Sequence, residues 1–151
     1  MTETTNTIKL GRREVLKAAG VGALAVAGAG LVARDANASA EGAAKWLADK
    51  AGGAGSPGKV TIKLPEIAEN GRTVPLTVSV DGAAKSIHVA SELNPNPEVV
   101  SFNIMDGAKA DVSTRIRLGQ TQNVVAAAVM ADGSIITGSQ SVKVTIGGCG
   151  G

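Results

Sequence analysis

The sequence predicts an all-β fold, an antiparallel β-sandwich, and three observations predict it. From Lys59 onward, apolar residues recur at every second position over several stretches. The dipeptides Asn70-Gly71, Asp81-Gly82, Asp106-Gly107 and Asp132-Gly133 punctuate those stretches with turns. Beyond the N-terminal segment, helical spacing occurs only at 39–51.

Residues 1–38 read as an export signal and stand apart from the fold. IKLGRREVLK, 8–17, is a charged region with paired arginines, Arg12 and Arg13. A weakly apolar stretch, AAGVGALAVAGAGLVA at 18–33, follows it. Ala36-Asn37-Ala38 then supplies a small-x-small cleavage site. The stretch is too short and too rich in glycine for a good membrane span. RREVLK resembles the twin-arginine (Tat) leader, S/T-R-R-x-F-L-K. Arg12, Arg13, Leu16 and Lys17 fit that pattern, while Gly11 and Val15 depart from it. No cysteine lies near the cut, so it is not a lipoprotein leader.

Cleavage after Ala38 leaves residues 39–151. The leader holds five of the 15 Lys and Arg and three of the 13 Asp and Glu, so ten of each remain and the mature chain is neutral. A neutral chain leaves no electrostatic footprint for nucleic acid or an anionic membrane. Trp46 and Phe102 are its only aromatics, too few for a base-stacking surface.

Within 39–58 the first part is helical. Ala43, Leu47 and Ala51 share one face, and Lys45 has Glu41 and Asp49 four residues to either side. GGAGSPG, 52–58, ends the helix and reads as a flexible connector. The sandwich follows at 59–146. Val60, Ile62 and Leu64 alternate with polar residues, as do Val74, Leu76, Val78 and Val80. Val112, Thr114, Ile116 and Leu118 repeat the pattern, and Val142, Val144 and Ile146 close it. Apolar runs at 86–90, 99–105, 123–131 and 134–137 bring the total to seven or eight short strands. That count, with frequent turns, predicts an immunoglobulin-like sandwich. Pro75 points to an edge or a bulge. Asn94-Pro95-Asn96-Pro97 is expected to carry the chain across between sheets. The core is built from Val, Ile, Leu and Ala, which suggests that a partner subunit completes one face.

Few residues offer chemistry. Metal sites need converging Cys, His or carboxylate groups, and the chain has one Cys and one His. His88, in SIHVA, reads as a strand histidine satisfied by a neighbour rather than as a base for a Cys–His pair. Arg115 and Arg117 read as a solvated strand face, and Glu66 and Glu69 as turn residues. The distinctive element is the terminus, GGCGG at 147–151. Its lone Cys149 is flanked by Gly147, Gly148, Gly150 and Gly151. In an exported chain a single cysteine has no internal disulfide partner.

Four readings fit the terminus: a bare tail, a disulfide to a partner, the diglycine of a ubiquitin-like sulfur carrier, or a covalent swinging arm. ATP-dependent activation inside the cell disfavours the diglycine reading in an exported chain. Glycines free the backbone and remove bulk, which suits an arm that threads another protein's channel. No basic residue or helix N-terminus adjoins the thiol in sequence to activate it. A carrier can leave that activation to its partner enzymes.

LPEIAENGRTVPLTVSV (64–80), NPNPEV (94–99), STRIRLGQTQNVVAAAVMADGS (113–134) and VKVTIGGCGG (142–151) together resemble the SoxY family, the sulfur carriers of the periplasmic thiosulfate-oxidising Sox system. The resemblance implies a non-catalytic carrier that needs no cofactor, with substrate attached at Cys149 and residues 147–151 as its arm. It implies a heterodimer with SoxZ and transient docking with SoxAX, SoxB and a sulfane dehydrogenase. The reading from a different class is an immunoglobulin-like interaction domain, disulfide-linked to its partner through Cys149.

Overall fold

The computed structural model describes residues 38–145. They form one helix and nine strands in two sheets, an all-β sandwich as the period-two pattern predicts. The helix, α1, is Ala40–Ala51. The strands are β1 (Ser56–Pro57), β2 (Val60–Lys63), β3 (Ile67–Ala68), β4 (Val74–Val80), β5 (Ala84–Ser91), β6 (Glu98–Asn103), β7 (Asp111–Ile116), β8 (Gln122–Met130) and β9 (Ile135–Val144). The larger sheet runs β1-β9-β8-β5-β6, with β3 also on β9, and the smaller runs β2-β4-β7.

Alternation explains β4 directly. Val74, Leu76, Val78 and Val80 are buried between the sheets, and Pro75 is exposed. Val89, Ile87, Val124, Ala126, Ala128 and Val142 meet them from the larger sheet. α1 covers the outer face of that sheet, where Ala43 and Leu47 pack on Ala90 and Ala127. Ser39 caps α1 by accepting the Gly42 N–H at 3.0 Å. Gly52, at φ 83°, ends it in the left-handed conformation that favours glycine. Glu41 in the first turn and Lys50 in the last complement the helix dipole.

Pro75 lies in the middle strand of the smaller sheet, yet it faces an edge. The Val80 N–H donates to the Ala110 carbonyl. With the register Val74↔Ile116, that bond turns the even residues of β4 toward β7 and the odd ones toward β2. β2 ends at the pair Lys63↔Thr77. The missing donor of Pro75 therefore points past the end of β2, where no strand needs it.

Four expectations are corrected. The Asn94-Pro95-Asn96-Pro97 loop does not cross between sheets, because it joins β5 to β6, which are neighbours in one sheet. The crossings fall after β1, β2, β3, β4, β6 and β7 instead. Residues 134–137 and 142–146 are not two strands, since β9 runs unbroken from Ile135 to Val144. The pairing is not wholly antiparallel: β1 and β3 lie parallel to β9. The glycine-rich stretch at 52–58 is not a loose tether either, for it docks along β9 through Ser56↔Ile136 and Pro57↔Thr137.

Close approach explains those glycines. A Cβ on Gly55 would meet the Thr137 methyl at 2.5 Å, and one on Gly58 would meet Ile136 Cβ at 2.7 Å. Gly138 is the tightest against backbone, because its Cβ would lie 2.6 Å from the Val60 carbonyl oxygen. There the two sheets touch and the sandwich closes. Gly138→Ala must push β2 off β9. The expected cost is roughly 1–3 kcal/mol, read as a lower midpoint of thermal unfolding. An unchanged midpoint would show that the approach at Gly138 does not hold the sheets together.

Candidate functional site at the root of the C-terminal strand

The sequence-predicted attachment residue Cys149 and its flanking Gly147, Gly148, Gly150 and Gly151 lie outside the described residues, as do Ile146 and the leader arginines Arg12 and Arg13. What is described is the strand end from which the last residues depart. β9 delivers the chain to Thr145, and both of its edges are held there.

On one edge, β3 pairs in parallel through Ile67↔Lys143 and Ala68↔Val144. The Lys143 N–H donates to the Glu66 carbonyl at 2.9 Å, and the Thr145 N–H donates to the Ala68 carbonyl at 3.1 Å. Thr145 Oγ1 adds a bond to the Glu69 carbonyl at 3.3 Å. Glu66 and Glu69, read as turn residues, thus serve the root through their main chain. On the other edge, the Val144 N–H donates to Thr121 Oγ1 at 3.0 Å. One strand and one hydroxyl thereby hold the two edges of β9 up to Thr145.

Thr121 is placed by a polar staple that sequence reading missed. Gln122 is buried. Its Oε1 accepts the Leu93 N–H at 2.7 Å, and its Nε2 donates to Asn94 Oδ1 at 2.8 Å. Asn94 Oδ1 also accepts the Gly119 N–H at 3.0 Å, while Asn94 Nδ2 donates to the Arg117 carbonyl at 2.9 Å. The β5–β6 loop and the β7–β8 loop are therefore locked to each other beside the root. Their partners lie more than twenty positions apart in the chain, so no local pattern could have revealed them. The only signal was an amide-rich pair of segments, NPNP and GQTQN.

His88 sits apart from this end, on β5 under α1. Its Nε2 lies 3.0 Å from Ser86 Oγ and its Nδ1 lies 2.9 Å from Ser101 Oγ. Both ring nitrogens are thus engaged, one donating and one accepting in the neutral ring. Trp46 meets the ring edge-on at 6.5 Å between centroids. Burial, and then the Lys50 ammonium, lower the His88 pKa below 6.5. This is the satisfied strand histidine that the sequence suggests. Among the described residues, no three His, Cys, Asp or Glu side chains gather as metal ligands would. Arg115 and Arg117 are exposed, and they line a cleft of about 530 Å³ with Asn94, Glu98 and Val100.

The family model described as "Sulfur oxidation protein SoxY" matches residues 45–149. Among solved structures, the sulfur carrier protein SoxY from Chlorobium limicola f thiosulfatophilum is similar at 35% identity and a TM-score of 0.60, over 68% of this chain and 94% of that one. A superoxide reductase (neelaredoxin) from Ignicoccus hospitalis is similar at 16% identity and a TM-score of 0.51, over 58% of this chain and 80% of that one. At that identity the likeness extends to the fold alone. No match is found among curated proteins.

Two outcomes follow from this geometry. Thr121→Val removes the acceptor of the Val144 N–H, so that amide should exchange with solvent about ten times faster. Global stability should change by no more than about 1 kcal/mol, the worth of one exposed hydrogen bond. Equal exchange would mean that Thr121 does not clamp β9. For His88, a folded-state pKa below the unfolded value means that the unfolded chain binds more protons in the interval between them. The stability contribution is complete above pH 6.5 and declines as pH falls from 6.5 toward the lowered value. Chemical denaturation across that window should show the decline, and His88→Gln should flatten it.

Proposed function

This chain belongs to the SoxY family of sulfur oxidation proteins, and from that premise we propose that Cys149 is the covalent attachment point for thiosulfate-derived sulfur. The observation that carries the reading is the extent of the family match, 45–149, which closes on the chain's single cysteine. The clamped end of β9 supports it. A carrier needs a firm base and a terminus unobstructed by bulk, and GGCGG follows the base within a few residues.

The chemistry proposed is a relay on one sulfur atom. In the first step the Cys149 thiol and thiosulfate couple to a cysteine S-thiosulfonate. A sulfur–sulfur bond forms, one proton leaves, and two electrons pass to the haem centres of a SoxAX-type cytochrome. In the second, a SoxB-type hydrolase adds water across the terminal sulfur–sulfonate bond. Sulfate and a proton leave, and Cys149 keeps a persulfide. The remaining outer sulfur is then handed on, or is oxidised by a sulfane dehydrogenase that adds three waters, releases seven protons and takes up six electrons, leaving a cysteine S-sulfonate. The chain itself supplies no catalytic group to these steps: it holds the intermediate and presents it. Gly147, Gly148, Gly150 and Gly151 keep the approach to each active site narrow. SoxZ is the proposed heterodimer partner, and the periplasm the proposed compartment, reached by the Tat route through Arg12 and Arg13.

Intact mass of the protein purified without reductant tests the reading. Sulfur or thiosulfonate adducts on the C-terminal peptide are expected, whereas a disulfide-linked partner as the sole adduct would replace the carrier with an interaction domain. Cys149→Ser should abolish thiosulfate-dependent turnover and leave thermal unfolding unchanged. Gly148→Val adds a stiff, β-branched side chain beside the thiol. It should slow enzymatic loading at least about ten-fold while barely changing reaction with a small alkylating reagent. Wild-type loading of Gly148→Val would exclude a narrow channel.

A further inference from the structure

The sandwich closes along one side and stays open along the other. On the closed side β2 meets β9 at Gly138. On the other side, among the described residues, β6 and β7 are the outer strands of their sheets and pair with nothing beyond β5 and β4. The cleft of about 530 Å³ lies between them. Val99, Val100, Phe102 and Val112 pack on the core there but are only partly buried.

The free main chain of β7 can be read from the ladder. Val112, Thr114 and Ile116 spend their amides and carbonyls on Val78, Leu76 and Val74 of β4. Asp111, Ser113 and Arg115 therefore turn theirs toward the open side. The bond between Thr77 Oγ1 and Ser113 Oγ, 2.8 Å, fits this parity, because side chains approach closest at non-hydrogen-bonded pairs. On β6, the Ile104 N–H bonded to the Lys85 carbonyl leaves the main chain of Ser101 and Asn103 free by the same argument.

Charge decides what the cleft suits. Arg115 and Arg117 line it with Glu98 as its one acid, and Asp111, at the far end of β7 and outside the cleft lining, accepts from Ser79 Oγ at 3.1 Å, so the cationic part of the edge lies at Arg115 and Arg117. We propose that the open side between β6 and β7 binds an extended, acidic segment of another protein, which adds as a strand to the edge of β7. A residue paired opposite Arg115 shares its outward face, so an acidic residue there makes a cross-strand attraction. Its neighbours in the added strand point inward, against Val100 and the core, where apolar side chains fit. The recognised pattern is an alternation of acidic and apolar residues, held by the main chain of β7. The cleft is at the same end of the sandwich as the root, since Asn94 lines it and joins the staple to Thr121. The proposal goes beyond sulfur carriage and does not involve Cys149.

A short labelled peptide alternating glutamate and valine, titrated by fluorescence anisotropy into the purified chain, tests it. The peptide should bind the wild type and the Cys149→Ser variant equally, so that failure here is separate from failure of the carrier reading. Arg115→Glu combined with Arg117→Glu should weaken binding about ten-fold or more and transfer preference to a lysine–valine peptide. Ser113→Pro removes an amide that faces the open edge and none that faces β4. It should abolish binding while the unfolding midpoint stays within a few degrees. Equal binding of both peptides, binding that survives Ser113→Pro, or no binding at all overturns the proposal. So does concentration-dependent self-association that Ser113→Pro removes, since a second copy of this chain would then be the occupant.

Discussion

The close approach of Val60 to Gly138 is the contact on which the molecule's shape depends. A residue without a side chain lets the carbonyl of β2 come within van der Waals range of β9. Closing the sandwich on that side brings Ile62 of β2 and Val142 of β9 into the same core. It also explains the composition around it. Gly55, Gly58 and Gly138 weaken strand propensity, yet a Cβ at each would strike a neighbouring segment. Bulk at Gly138 would separate the sheets and bulk at Gly55 or Gly58 would lift that stretch off β9, and what local propensity loses is offset by burial of the aliphatic core.

One side is closed, and among the described residues no strand pairing joins the two sheets on the far side. The larger sheet ends at β6 and the smaller at β7, and neither reaches the other. Exposed strand edges are a hazard that proteins usually blunt with charge. Here Asp111, Arg115 and Glu98 stand at those edges. The same residues that discourage indiscriminate pairing can select a particular partner, because opposite charge placed across a strand pair favours one sequence over others.

Much of the fold was legible in the sequence, and the exceptions share a cause. β4 shows clean alternation because one of its faces is buried and the other wet. β5 reads as an apolar run because α1 covers its second face over His88 and Ala90. β9 reads as two pieces because Gly138, Ser139 and Ser141 break the apolar pattern; at Gly138 the reason is packing, which only the folded structure supplies, while the two serines are exposed. β1 and β3, two residues each, are too short to show any period. The Asn94–Gln122 staple depends on contacts distant in the chain, so its amides looked like ordinary loop residues. Asp81-Gly82 and Asp106-Gly107 were correctly read as turns, and both glycines have positive φ. A dipeptide nevertheless cannot say whether the chain returns within its own sheet or leaves for the other one. Cys149 lies outside the described residues, and its proposed role rests on composition and position in the chain rather than on packing.

The clamp on Thr145 has a consequence for rates. Three residues lie between it and Cys149, so four chain steps keep the Cys149 Cα within roughly 14 Å of that fixed point, with the thiol a side-chain length beyond. One thiol confined to a hemisphere of that radius corresponds to an effective concentration on the order of a hundred millimolar. A protein that docks against this end of the sandwich with its active site inside that hemisphere meets the thiol as if it were dissolved at that strength. On the carrier reading proposed above, successive steps would run as intramolecular reactions, independent of how dilute the carrier is once the complex has formed. If β9 frayed back from Thr145, the radius would lengthen and the same thiol would be diluted roughly as the cube of the reach.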